Sequence, residues 1–211
     1  MKIKNKSLSD KSRKWLKRHV EDEYVKKSSK ENYRSRAAYK LIEILQKYSA
    51  VKNSRVIMDL GSAPGSWCEV LNRNIHFEKY ILAVDLLKMK PIKGVEFINC
   101  DFNDDQFIEF ANQKKPFDLI LSDISPNLSG YKNADHLRSR EILENTLDIA
   151  FKYLKNGGHF VSKYFRTGDV SDILSICNKN FGRVSSFKPT SSRKESSEIY
   201  LICLNKKNID S

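Results

Sequence analysis

The chain has 211 residues, 40% of them hydrophobic and 30% charged, with a formal net charge of +12. That length and apolar content support one packed domain. With no apolar run near the ~20 residues of a membrane-spanning helix and no apolar secretory segment at the front, the expectation is a soluble intracellular protein.

The four cysteines, Cys68, Cys100, Cys177 and Cys203, are scattered without a Cys-x-x-Cys pair, and the four histidines stand apart. Neither a disulfide scaffold nor a metal site is expected, and a reducing compartment fits.

The charge is concentrated at the front. Residues 1–55 hold 17 Lys and Arg against 6 Asp and Glu, whereas the remainder holds 21 against 20. A near-neutral body behind a basic front end is an electrostatic footprint for nucleic acid; a solvated basic helix is the plain alternative. Residues 1–10 are polar. From Ser12 to Lys27, Trp15, Leu16, His19, Val20, Tyr24 and Val25 recur at helical spacing, which predicts one or two helices with a basic outer face. Lys14, Lys17 and Arg18, with Arg34 and Arg36 farther on, are the candidate phosphate contacts. A basic amphipathic N-terminus also fits an organelle-targeting segment, but Asp10, Glu21, Asp22 and Glu23 argue against it, and the compartment stays open.

A second helix is predicted from Ser35 to about Tyr48, with Ala37, Leu41, Ile44, Leu45 and Tyr48 as its buried stripe. Lys40 sits at the edge of that stripe, where a lysine ordinarily snorkels to water.

The stretch Arg55 to Trp67 reads as a buried strand, a small-residue turn and the opening of a helix. Val56-Ile57-Met58 suits a central parallel strand covered on both faces. Gly61 and Gly65 permit a tight turn and the close approach of a ligand, at the carboxyl end of a strand where α/β sheets bind ligands. The spacing is not Gly-x-Gly-x-x-Gly, and no Gly-Lys-Ser/Thr follows, so dinucleotide and P-loop readings fit badly.

Beyond it, Trp67 to Asn74 is helical, and strands are predicted at Tyr80 to Asp85, Gly94 to Cys100 and Phe117 to Asp123. Each runs into an acid: Asp85, Asp101 and Asp123. Asp85 lies 24 residues beyond Gly61, near the place where nucleotide-binding folds put a carboxylate on ribose hydroxyls. A single acid at a strand end is usually a helix cap; three in succession point to a shared site. Residues 136–154 form the longest helical pattern, with Gly157-Gly158 as its stop. The strand His159 to Phe165 follows and carries Lys163 where an apolar residue is expected, a costly placement unless it is paired or functional. A helix from Val170 to Cys177 precedes two strands, Arg183 to Phe187 and Ile199 to Leu204, read as an antiparallel hairpin at a sheet edge with Glu198 before its second arm.

The turn Gly61-Ser62-Ala63-Pro64-Gly65-Ser66-Trp67 resembles the first motif of S-adenosylmethionine-dependent methyltransferases. With Ser35 to Leu41, Asp85-Leu86-Leu87 through Pro91, Gly94-Val95, Ser122-Asp123 through Gly130, Gly157-Gly158 to Phe165 and Lys188-Pro189 to Tyr200, the chain from about Arg13 onward resembles the FtsJ/RrmJ family of ribosomal RNA 2′-O-ribose methyltransferases. The resemblance implies a Rossmann-like α/β fold: a seven-stranded, mostly parallel sheet with an antiparallel last strand and helices on both faces. It implies a methyltransferase domain over 31–211 and a basic extension over 1–30 that belongs to the same domain and contacts RNA. A catalytic set would fall on Lys40, Asp123, Lys163 and Glu198, and S-adenosylmethionine contacts on Gly61, Gly65, Trp67, Asp85, Asp101 and Asp123. The partner would be RNA, ribosomal and with a large-subunit uridine as target, bound by a monomer that needs no metal. Two features depart from the pattern. The ribosomal branch usually has Gly where Ser66 stands, whereas relatives acting on transfer RNA also carry Ser, and Arg166-Thr167-Gly168 is a variant loop; Ser125 to Gly130 and the front end with Trp15 favour the ribosomal branch.

The residue types suit the chemistry. A ribose hydroxyl must lose its proton as it attacks a methyl group, and a lysine can take that proton only where burial and a neighbouring cation disfavour its charged form. Nearby carboxylates work in the opposite direction. The rival readings are a transfer RNA 2′-O-methyltransferase, an inactive RNA-binding module on the same fold, which retention of the four catalytic positions opposes, and an NAD-dependent oxidoreductase, which the missing glycine pattern opposes.

Overall fold

The computed structural model describes residues 10–114, 116–126, 129–166 and 168–208. The basic front end forms two helices, α1 (Asp10–Glu21) and α2 (Glu23–Lys30), split at Asp22. Asp22 is extended, and its carboxylate accepts from the backbone N–H groups of Tyr24 and Val25, the standard way an acid starts a helix. After a turn come α3 (Ala38–Lys47) and the short α4 (Ser49–Lys52), then β1 (Val56–Leu60), α5 (Ser66–Asn74), β2 (Tyr80–Val84), β3 (Glu96–Ile98), α6 (Asp105–Lys114), β4 (Phe117–Ser122), α7 (Lys132–Tyr153), β5 (Leu154–Phe165), α8 (Ser171–Asn180), β6 (Phe181–Phe187) and β7 (Glu198–Lys206).

Among the described residues these strands form one sheet in the order β3-β2-β1-β4-β5-β7-β6. β1 to β5 pair in parallel, and β7 runs antiparallel to both β5 and β6. The expected hairpin forms, with β6 at the edge and β7 inside the sheet. Burial of β7 explains its unbroken apolar run Ile199 to Leu204.

The side-chain alternation of the strands divides the core into two layers. Even-numbered positions such as Met58, Leu60, Leu82 and Ile120 pack with α6, α7 and α8; odd-numbered ones such as Ile57, Ile81, Leu119 and Val161 pack with α3, α4 and α5.

The junction of α7 and β5 differs from the expectation. α7 ends at Tyr153 and β5 begins at once, so Gly157 and Gly158 do not stop the helix but lie within the strand, where pairing with β4 shifts register between Phe117 and Leu119. The buried Lys206 instead serves the helix end, its Nζ donating to the carbonyls of Phe151 and Leu154. None of the described helices is long and apolar enough to cross a membrane.

Candidate active site

The alternation that sorts the core also assembles the site. Ile57, Ile81 and Leu121 face the α3/α5 layer, and two positions past each, at or just beyond the carboxyl ends of three adjacent parallel strands, stand Asp59, Ala83 with Asp85 next in step, and Asp123. In β5 the same parity carries Val161 to Lys163, and in β7, where the even positions face this layer, Tyr200 and Glu198 share the face. Strand register completes the arrangement: Ser122 pairs with Ser162, which sets Asp123 beside Lys163, while Lys163 pairs with Tyr200 and Phe165 with Glu198.

The four catalytic candidates converge. Lys163 Nζ lies 3.0 Å from Asp123 Oδ1 and donates to the Asp123 carbonyl at 2.7 Å. Lys40 Nζ, from α3, donates to Glu198 Oε2 at 2.8 Å. Neither amine snorkels: Lys40 is 8% exposed and Lys163 7%. This corrects the expectation for Lys40, whose position at the stripe edge points its amine inward at a carboxylate delivered from β7. Tyr200, which the sequence did not single out, donates its hydroxyl to Asp123 Oδ1 at 2.6 Å, with Lys40 Nζ 5.9 Å above its ring. Burial works to raise Asp123, but the ammonium groups of Lys163 and Lys40 and the Tyr200 hydroxyl outweigh it and hold the carboxyl below its ordinary range. Glu198 is held low against its burial by Lys40 in the same way. Burial and the charge of Asp123 push the Tyr200 phenol far up, so it stays a donor.

Beside this cluster lies a narrow cleft lined by Asp59, Gly61, Ser62, Ser66 and Asp123. Asp59, also unmarked by the sequence reading, is 1% exposed and accepts from the Cys68 thiol at 3.1 Å. Burial raises its carboxyl to about 7, with the charges of Asp123 and Asp85 adding to the effect and the Cys68 bond opposing it. The Ser62 hydroxyl is buried without a hydrogen-bond partner. Asp85 accepts from the Ala63 N–H at 2.8 Å and the Leu87 N–H at 2.7 Å, one bond to each oxygen, leaving lone pairs on both. Asp101 is outside this row: its Oδ1 accepts from the Asn103 main chain and side chain, closing a local turn. Trp67 is 2% exposed, donates to the Ala37 carbonyl at 3.0 Å and packs on Tyr200, so it fastens α5 to α3 beneath the cleft.

The tight turn expected of the two glycines is present, and packing adds a second demand. Both take left-handed backbone, and a Cβ at Gly61 would strike Ile124 at 2.3 Å while one at Gly65 would strike Ile92 at 2.6 Å. Neighbouring side chains occupy the space that a larger residue would need. The serine departure is accommodated locally, Ser66 Oγ lying 2.7 Å from Ser35 Oγ.

The basic candidates separate. Arg34 is not available to a phosphate: its guanidinium donates to Glu69 and to the carbonyls of Pro64, Lys90 and Pro91, tying the cleft turn to the segment after β2. Arg36 is bound to Asp22 and to the Ser191 carbonyl. Lys17 is exposed with Glu21 at 3.9 Å, and Arg18 faces Glu195 at 3.9 Å. The side chains of Lys14, Trp15 and His19, and all of residues 1–9, Asn127, Leu128 and Thr167, lie outside the described residues. From Lys40 and Glu198 a groove of about 390 Å³ opens outward between Arg18, Arg36, Arg193 and Glu195. No group of three or more metal-ligating side chains occurs among the described residues.

Comparison with known proteins bears on most of the chain. The family model for FtsJ-like methyltransferase matches residues 33–206. A ribosomal RNA large subunit methyltransferase E of Methylobacillus flagellatus is 40% identical over 200 residues, covering 93% of this chain and 97% of that protein. The same-named protein of Francisella philomiragia is 42% identical over 194 residues, covering 90% and 94%. A crystal structure from Plasmodium falciparum described as a ribosomal RNA methyltransferase superimposes with a TM-score of 0.71 at 35% identity, over 82% of this chain and 98% of that one.

Proposed function

Since the chain belongs to the FtsJ-like methyltransferase family, we propose that it transfers a methyl group from S-adenosylmethionine to a ribose 2′-hydroxyl of ribosomal RNA, a uridine of the large subunit. The observation that carries this reading is the convergence of Lys163, Asp123, Lys40 and Glu198 at one end of the groove, directly beside a cleft walled by carboxylates.

The cleft fits the cofactor by charge and by unmet polar groups. S-adenosylmethionine carries a sulfonium and an ammonium, and when bound it supplies an electrophilic methyl group. Asp59, Asp85 and Asp123 offer negative charge to such a ligand, and the partnerless Ser62 hydroxyl offers a polar contact. Asp85, with a lone pair free on each oxygen, is the acceptor for ribose hydroxyls. Asp85→Ala is expected to weaken cofactor binding by about 1–3 kcal/mol, the loss of a charge-assisted acceptor; calorimetry showing unchanged affinity would take Asp85 out of the site.

On the other side, Lys163 accepts the proton of the attacking hydroxyl. Asp123 holds the amine in place through both its carboxylate and its carbonyl, and the Tyr200 hydroxyl holds Asp123. The Lys40–Glu198 pair borders the groove where the sugar enters, with the Lys40 amine anchored by Glu198. The target strand runs along the groove toward α1, where Lys14, Lys17 and Arg18 contact phosphates. Replacing these three by glutamine should leave cofactor affinity unchanged and flatten the salt dependence of RNA binding by about 0.7 in log–log slope per lost single-strand contact; an unchanged slope would show that their charge is merely solvated.

The reaction is tested by following radiolabelled methyl transfer to separated ribosomal and transfer RNA. Label in ribosomal RNA that resists base modification analysis and maps to a ribose is expected; label confined to transfer RNA, or none, would overturn the assignment.

A further inference from the structure

We propose that Asp22, on the N-terminal helix pair, is a positioning residue that holds Arg36 and Arg193 together as a seat for one RNA backbone phosphate at the mouth of the groove. The proposal rests on the reading above that RNA is the substrate.

Asp22 divides its two oxygens between separate tasks. Oδ1 caps α2 through the N–H groups of Tyr24 and Val25 at 3.0 and 3.3 Å. Oδ2 takes Arg36 and, at 3.1 Å, Arg193 Nε. With its side chain only 8% exposed, this carboxylate is an anchor and not a surface charge free to wander. Two guanidinium groups drawn to one oxygen are held close to one another against their mutual repulsion. Forked guanidinium donors at such a spacing match the geometry of a phosphate.

Both arms of the seat are held from behind as well. Arg36 also donates to the Ser191 carbonyl and lies 5.7 Å over the Tyr24 ring. The loop that carries Arg193, between β6 and β7, is pinned to α3 by Glu43, which accepts from Thr190 N–H at 2.6 Å, Thr190 Oγ1 at 2.9 Å and Ser191 N–H at 2.8 Å. Both arginines line the groove that leads to Lys40 and Glu198. Its other charges pair off, Lys40 with Glu198 and Arg18 with Glu195, so Asp22, Arg36 and Arg193 together leave one positive charge at the mouth. One phosphodiester carries one negative charge. The arrangement also makes the basic front end and the catalytic cluster a single recognition surface, with Asp22 as the joint.

Asp22→Asn separates positioning from simple screening, because the two predict opposite signs. Asparagine retains the helix cap but releases both arginines and raises the local positive charge. If Asp22 merely screens, RNA binding and turnover improve. If it positions, the KM for RNA rises about tenfold, the scale of one lost charge-assisted contact, while kcat at saturating RNA and the KM for S-adenosylmethionine change little, and the thermal midpoint is kept. Arg193→Ala should give the same KM effect, Arg193→Lys should recover little of it since an ammonium lacks the fork, and combining Asp22→Asn with Arg193→Ala should add nothing further. Asp22→Asn with a KM for RNA at or below wild type would overturn the seat, as would full rescue by Arg193→Lys. The wild-type chain in the same assay distinguishes the two levels: if it methylates no RNA, the substrate reading itself fails and the seat with it, whereas an active wild type with an unaffected Asp22→Asn removes the seat alone.

Discussion

Lys163→Arg is expected to fold, to bind cofactor normally and to lose methyl transfer by ~10²–10⁴-fold, the contribution of a positioned general base. Arginine keeps the positive charge and so preserves the pair with Asp123, which in wild type is buried at 3.0 Å. It cannot give up its proton near neutral pH. The arginine variant is therefore more informative than alanine, which would leave the buried Asp123 without its nearest ammonium and lower stability for reasons unrelated to catalysis. Single-turnover methyl transfer, on protein whose melting curve matches wild type, reads this loss. Near-normal turnover in Lys163→Arg would mean that Lys163 orients the ribose or stabilises charge and that the proton leaves by another route.

Asp59→Asn is expected to stabilise the cofactor-free protein at neutral pH and to weaken its hold on S-adenosylmethionine. The carboxyl is raised from 3.8 to about 7 by burial and by the charges of Asp123 and Asp85. Between those values the unfolded chain gives up its proton while the folded chain keeps it, so folding stability falls as pH rises through this window and stays low above it. A shift of that size corresponds to up to about 4 kcal/mol at ~1.36 kcal/mol per unit, which an amide, never charged, does not incur. The Cys68 thiol, which burial and the Asp59 charge keep protonated, can still donate to the amide oxygen. Melting curves of the two proteins from pH 4 to 8 should coincide at the acid end and diverge above it. Wild-type affinity for the cationic cofactor should rise through pH 7 and that of Asp59→Asn should not. Parallel melting curves over the whole range would show that Asp59 carries no such penalty.

A protein that tolerates an acid buried this deeply is trading stability for a charged cleft, a pattern common where a site must meet a cation. The same trade accounts for the lysines. Two buried amines would each be costly alone; here each meets a carboxylate from a different part of the chain, Lys163 with Asp123 of the β4 end and Lys40 with Glu198 of β7.

By itself the sequence determined the strands, the α/β class with helices on both faces of the sheet and the sidedness of the site. Apolar runs such as Ile81 to Val84 and Leu119 to Leu121 identify buried parallel strands because both their faces must be covered. The two-residue period then sets Lys163 on the face of Val161, and Asp85 and Asp123, just past their strand ends, continue the step of Ala83 and Leu121. Lys163 was conspicuous because a cation has no business in a buried strand without a partner. What the tertiary structure decided are the pairings that join distant segments. Lys40 meets Glu198 only because β7 enters the sheet antiparallel between β5 and β6, and nothing within α3 signals that. Arg34 read as a free basic residue because its partners are main-chain carbonyls at 64, 90 and 91, and a carbonyl leaves no trace in residue type. Asp59 was hidden inside the strand motif that announced the fold, since its environment is made by α5 and by two neighbouring strand ends. Helical periodicity likewise could not place the end of α7, where Lys206, on the last strand, satisfies the terminal carbonyls that a glycine stop would otherwise serve. Periodicity is a local property of a chain and survives translation into a list of residues; the partner of a buried charge is set by how strands are ordered in space, and only the folded sheet contains that order.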